Sequence, residues 1–273
     1  MFSDRKTSRV MASPYAAWAL IFILVPLGMI FYYGLTDETG RFTLANIAAI
    51  SQPEHLKALG LALLLSVIST AVCFFLAYPV AMILAKNRVS SQGLITTLFI
   101  LPMWMNFLLR TLAWMTLLEN KGVINTALSL LHLPELNIIN TPAAIVIGMV
   151  YNFLPFMILP LYNSLSRIDE NVINAARDLG ANEVQTFFRV ILPLSVPGIV
   201  SGITMVFIPA LTTFAISTML GGSKILLIGN VIEQEFTLSY NWNLGAGLSI
   251  VLMIFIIVNM VISAITERRE EED

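Results

Sequence analysis

The sequence predicts an all-α integral membrane protein, a bundle of about six transmembrane helices. Three observations carry that expectation. Of 273 residues, 57% are hydrophobic and only 12% are charged, with a mean hydropathy of +0.82. A soluble domain carries about 25% charged residues, so this surface would be too apolar for water. Apolar stretches of about 20 residues, enough to cross a bilayer as helix, recur along the chain. The basic residues, finally, gather in alternate connections between those stretches.

The expected spans are 14–34, 59–85, 94–118, 142–165, 197–220 and 244–265. The first follows Arg5, Lys6 and Arg9, as a secretory signal would. It is too long for a signal core and no small-residue cleavage site precedes Asp37, so it is read as an uncleaved span. Pro79, Pro102, Pro155 and Pro209 fall inside spans and are candidate kinks. Gly198 and Gly202 have the spacing of a close helix–helix contact. Cys73 lies within a span and reads as a small buried apolar residue. Residues 270–273 form an acidic end that reads as a solvated terminus. With no segment long enough for a separate soluble core, 1–273 is expected to be a single transmembrane domain.

With six crossings both termini share one side. That side holds Arg5, Lys6, Arg9, Lys86, Arg88, Arg167, Arg177, Arg189, Arg268 and Arg269; the other holds Arg41, Lys57, Lys121 and Lys224. Basic residues favour the cytoplasm, so both termini and the connection 166–193 are expected inside. No basic stripe suggests nucleic acid. There is no phosphate-binding Gly-rich loop, no nucleophile elbow with a usable histidine and no metal cluster, so neither enzyme chemistry nor ATP or Mg binding is expected in this chain. His55 and His132 fall in external connections.

The connection 166–193 reads as two short helices. Asp169 is a candidate cap for the first, which carries Val172, Ile173, Ala176 and Leu179 and ends at Gly180, suited to a left-handed residue. Asn182 and Gln185 have the spacing of a capping box for the second, with Val184, Phe187, Phe188 and Ile191 following before Pro193 and Pro197. Periodicity leaves two readings open: helices lying on the membrane or beneath their own bundle, or a docking element for a partner.

Asn174-Ala175-Ala176, three residues, Gly180, nine residues, Val190, one residue and Leu192-Pro193 resembles the "EAA" loop of binding-protein-dependent ABC-importer permeases. Asn174 stands for the family's Glu and Val190 for its Ile. The likeness extends to 101–104, 110–114, 148–151, 154–157, 175–181 and 192–198, where it is closest to spermidine/putrescine permeases. The resemblance implies a type I, MetI-like permease in a bacterial inner membrane, importing polyamine delivered by an external binding protein. It implies a second related permease, two cytoplasmic ATPase subunits that bind ATP and Mg, and membrane lipid around the spans. It assigns ATPase coupling to Asn174, Ala175, Ala176, Asp178, Gly180, Leu192 and Pro193. The alternatives are the same machine carrying another small solute, and a self-sufficient secondary transporter, which would be expected to show an ionisable relay in its spans.

Arg110 is the one clearly charged residue inside an expected span. Its two readings are a structural anchor, to helix carbonyls or to Glu119, and a residue lining a cavity. Trp104, Trp114, Tyr151, Tyr162 and Glu119 are the candidates for a cation path, since aromatic faces and carboxylates both attract ammonium groups. Trp114 and Tyr162 equally suit an aromatic belt at the membrane surface.

Overall fold

The computed structural model describes residues 14–86 apart from Ala16, and 101–272 apart from Pro102; for Ser223 and 266–272 it describes the backbone only. Arg5, Lys6, Arg9, Arg88, Pro102 and the start of the expected third span therefore lie outside the described residues. The helices are α1 (Ala17–Gly34), α2 (Ala45–Ala48), α3 (Pro53–Lys86), α4 (Phe107–Leu118), α5 (Val123–Leu130), α6 (Pro142–Leu165), α7 (Glu170–Asp178), α8 (Glu183–Leu194), α9 (Val196–Thr212), α10 (Ala215–Leu220), α11 (Ile228–Thr237) and α12 (Trp242–Glu272). Among the described residues, α1, α3, α6 and the Trp242–Ile265 part of α12 are long and apolar enough to cross a membrane; the bent pair α8–α9 makes a fifth if taken as one span. Helix α12 continues through the acidic end to Glu272.

Two expected spans are corrected. The third does not run unbroken to 118: Asn106 leaves the helical path and its Oδ1 accepts the Leu108 and Leu109 N–H groups at 2.8 and 3.3 Å. A new helix therefore begins at Phe107. Its 12 residues reach about 18 Å, short of the roughly 30 Å hydrocarbon core. The fifth, expected at 197–220, stops at Thr212 and resumes as α10 after an extended Thr213. Buried Asn230 at the start of α11 holds this break together. Its Oδ1 accepts from Ser217 Oγ (2.6 Å) and Leu227 N (3.1 Å), while its Nδ2 donates to Phe214 O (3.0 Å) and Thr218 Oγ1 (2.8 Å). Broken backbone inside a membrane protein survives only where such partners exist.

The described chain forms two compact units. One comprises 14–56 and 231–255. In it the carbonyls freed at the end of α1 are taken by two asparagines: Asn46 Nδ2 donates to Thr36 O at 2.8 Å, and Asn243 Nδ2 to Thr36 O at 2.7 Å and Tyr33 O at 3.0 Å. Residues 20–24 of α1 widen into a π turn just before Pro26, whose ring displaces the carbonyl four residues earlier. The following tight loop closes on Asp37. Its Oδ1 accepts from Thr39 Oγ1 at 2.7 Å and from the Thr39 and Arg41 N–H groups at 2.9 Å, which hold the carboxyl below its ordinary range.

The other unit comprises 57–230 and 256–273. Its centre is the contact of α6 with α9. A Cβ at Gly198 would lie 2.5 Å from Ser164 Cβ, and one at Gly202 2.6 Å from Met157 Sδ, so the two glycines permit the approach their spacing suggested. Helix α3 adds a stripe of fully buried small residues, Ala62, Cys73, Ala77 and Ala81. Pro79, Pro155 and Pro209 sit within continuous helices, as does Pro160.

Candidate functional site

The connection from α6 to α9 folds as two capped helices. Asp169 caps α7, its Oδ1 accepting the Asn171 N–H at 2.9 Å, with Glu170 in the first turn and Arg177 in the last, as the helix dipole favours. The carboxyl end closes in the paired pattern of a Schellman motif: Ala181 N–H to Ala176 O at 3.0 Å and Gly180 N–H to Arg177 O at 2.9 Å. Gly180 has φ +85°, so the left-handed position expected from the sequence is there. Helix α8 opens with a reciprocal capping box, Gln185 N–H to Asn182 Oδ1 at 2.8 Å and Asn182 N–H to Gln185 Oε1 at 3.0 Å. Its second half, Phe187–Ile191, is a π turn ending ahead of Pro193, the same arrangement seen before Pro26.

No residue of α7 is fully buried. Ile173 and Ala176 are half-buried, whereas Asn174, Ala175, Asp178 and Gly180 are exposed. Leu179 is 90% exposed, Val184 65% and Phe188 60%, so the expected apolar stripe is divided between an inner and an outer face. That much solvent-facing apolar surface at one loop tip suits contact with another surface. Of the alanine pair, Ala175 faces outward, while Ala176 supplies the carbonyl that caps the helix.

Sequence reasoning missed the residue that ties this loop to the bundle. Tyr78 of α3 is buried, its hydroxyl 2.9 Å from Ser195 Oγ at the 63° bend between α8 and α9. Its ring meets Phe187 edge-on at 5.7 Å. Ser195 Oγ also donates to Leu192 O at 2.9 Å, so Leu192 is held at the bend while Pro193 is exposed. A lone Tyr within an apolar stretch offered no sign of this role.

The candidate path residues are only partly brought together. Trp114 and Tyr151 form an edge-on pair, centroids 5.3 Å apart, where α4 meets α6. Beside this pair, one residue on from Tyr151 and three before Trp114, Asn152 Nδ2 lies 3.4 Å from Thr111 Oγ1. One turn before Trp114, Arg110 is buried, and its Nε and Nη1 have no hydrogen-bond partner. The carbonyl anchor is therefore not found at those two nitrogens, and Glu119 is an exposed residue beyond the end of α4. Asn152 Oδ1 is likewise buried without a partner. An asparagine inside an apolar span was the available signal for this polar contact. The remaining candidates lie elsewhere. Trp104 precedes the Asn106 cap and is 76% exposed, and Tyr162 lines a cavity against α7 and α8.

Helices of membrane-spanning length, joined through a capped and exposed two-helix loop, define a polytopic membrane protein. Residues 77–271 match the sequence profile of the binding-protein-dependent transport system inner membrane component family. The chain belongs to that family: it is a multi-pass inner-membrane permease, a transport subunit and not an enzyme. It is similar to the spermidine/putrescine transport system permease protein PotB of Haemophilus influenzae, 38% identical over 260 residues, covering 92% of this chain and 91% of that protein. The Escherichia coli K12 PotB is 39% identical over 245 residues, with 87% and 89% covered. In fold it resembles a chain of a bacterial alginate ABC transporter crystallised with an alginate pentasaccharide-bound periplasmic protein, with a TM-score of 0.78 at 17% identity, covering 96% of this chain and 94% of that one.

Proposed function

We propose that this chain is a membrane-spanning subunit of an ATP-driven polyamine importer. It would work with a second related permease, two cytoplasmic ATPase subunits and an external binding protein. The observation that carries the reading is the likeness, along nearly the whole chain, to permeases named for spermidine and putrescine. The loop geometry supports the coupling role. Asn174, Ala175 and Asp178 form the exposed face of α7, and Gly180 sets the turn that presents it. Movement of that face passes through α8 to the Tyr78–Ser195 contact and so to α3 and α9. ATP and Mg are handled by the ATPase subunits, whose closure tilts the spans in alternating access. The Trp114–Tyr151 pair offers aromatic surface to an ammonium group, worth up to about 2 kcal/mol where water is excluded.

Both termini are cytoplasmic in this reading. Cysteine at Ser239 should then react with an impermeant reagent from outside, and cysteine at Ser166 only after permeabilisation; the reverse would overturn the orientation. The test of function is reconstitution with the partner subunits in vesicles and measurement of ATP-driven uptake of labelled spermidine and putrescine. Uptake of neither polyamine, alongside hydrolysis that the binding protein still stimulates, would assign another solute.

A further inference from the structure

We propose that the cavity between the ends of α3 and α6 and the loop helices α7 and α8 is a binding site for one zwitterionic, amine-bearing phospholipid. The cavity has a volume of about 880 Å³, room for the headgroup and the first part of the acyl chains, with the remainder left in the bilayer. The site rests on the membrane-spanning fold and does not depend on the polyamine reading.

Its place in the fold sets the kind of ligand. Helices α3 and α6 are both long enough to cross the membrane, and both end at this cavity, α3 at Lys86 and α6 at Leu165. Met82 and Ala85 from the last turns of α3, and Tyr162 from the last turn of α6, line it. Spanning helices end where hydrocarbon gives way to headgroups, and Tyr and Lys favour that level. A lipid of that leaflet would have its headgroup at the level of this cavity.

The lining is divided in chemistry as such a lipid is. Met82, Leu165, Ile173, Phe187 and Ile191 form an apolar wall. Lys86 and Arg177 bring two cations, and Glu170 and Glu183 two carboxylates. A guanidinium and an ammonium suit a phosphodiester. A primary ammonium suits Glu183 together with the aromatic faces of Tyr162 and Phe187. The acyl chain has the apolar wall. A polyamine would meet Lys86 and Arg177 with like charge and leave the apolar wall poorly used, and a nucleotide would meet Glu183 in the same unfavourable way. Among these, a ligand carrying both signs and an apolar part answers the described lining best. So placed, the lipid would lie between the loop helices and the spans, against the side of α7 and α8 that carries Ile173, Asn174, Val184 and Phe187.

The test uses the affinity-tagged chain, purified with whatever subunits accompany it, delipidated and examined by native mass spectrometry. Phosphatidylethanolamine, phosphatidylcholine, phosphatidylglycerol and spermidine are titrated separately. The expected result is one phosphatidylethanolamine retained per copy of this chain, at least tenfold more tightly than phosphatidylglycerol and several-fold more tightly than phosphatidylcholine, whose quaternary ammonium cannot donate to Glu183. Ala85→Trp, which fills the cavity, should abolish that retention, and Ala85→Ser should keep it. Lys86→Ala with Arg177→Ala should weaken it at least tenfold. Equal retention of all three lipids would mean an ordinary annular lipid and overturn the proposal. So would wild-type retention by Ala85→Trp, or spermidine displacing the lipid.

Discussion

Gly180 is the position where a single atom should matter most. Its φ of +85° places it in the left-handed region, and a Cβ built there would have nothing within 4 Å. A substitution therefore meets no steric neighbour, and its cost is conformational alone, about 1–2 kcal/mol for an ordinary L residue. That shifts the population of the native turn by roughly five- to thirty-fold. Asn tolerates the left-handed region better and should cost less than Ala, while a β-branched Val should cost more. Loss of the turn breaks the Ala181–Ala176 and Gly180–Arg177 hydrogen bonds and turns α8 away from α7. The expected order of ATPase affinity and of uptake per ATP hydrolysed is Gly, then Asn, then Ala, then Val, with the chain inserted normally throughout. The assay is titration of purified ATPase onto each variant in detergent, followed by uptake and hydrolysis in vesicles. If Ala and Val match the wild type in both, the loop does not depend on its Schellman turn. If Asn is worse than Val, left-handed strain is not the cause.

Asn230→Ala removes four hydrogen bonds that close the break between α9 and α10 and leaves buried groups unpaired, each costing about 1–3 kcal/mol. The melting temperature in detergent should fall by several degrees, and an unchanged melt would refute the keystone role. Arg110→Leu should melt no lower than wild type, because it replaces a buried cation whose Nε and Nη1 have no partner with an apolar group. A clear loss of stability would show that Nε and Nη1 find a partner in the assembled transporter. Tyr78→Phe keeps the ring against Phe187 but removes the hydroxyl that meets Ser195, a loss of about 1 kcal/mol. Hydrolysis should persist while uptake per ATP falls; unchanged uptake per ATP would remove Tyr78 from the coupling route. The loop around Asp37 owes part of its stability to a carboxyl held below its ordinary range, first by the Thr39 hydroxyl and then by the Arg41 N–H. A depressed carboxyl stabilises above its unfolded value and loses that contribution as pH falls through the folded one. Resistance of this loop to protease should hold at neutral pH and fail only below roughly pH 4. Thr39→Val should move the failure upward, and no movement would rule the hydroxyl out.

Membrane class, the positions of α1, α3, α6 and α12, and the caps of the connection 166–193 were legible in the sequence because each depends on near neighbours. A run of apolar residues reports its own length, and Asp169, Gly180, Asn182 and Gln185 satisfy backbone groups within a few positions of themselves. Gly198 and Gly202 announced a close contact by their spacing, though not that its partner would be α6. Other features depended on residues far apart in the chain. The break at Thr213 exists because Asn230, well beyond it, takes the freed groups, and hydropathy averages straight across that site. The Asn106 cap is local, but it was hidden because it lies inside an apolar stretch. Tertiary packing alone paired Tyr78 with Ser195, brought Thr111 to Asn152, left the Arg110 nitrogens unpaired and set Tyr162 against the loop rather than beside Trp114. Local hydrogen bonding and burial preference are written in the order of residues; which polar side chains meet inside the bundle is decided only when the helices pack.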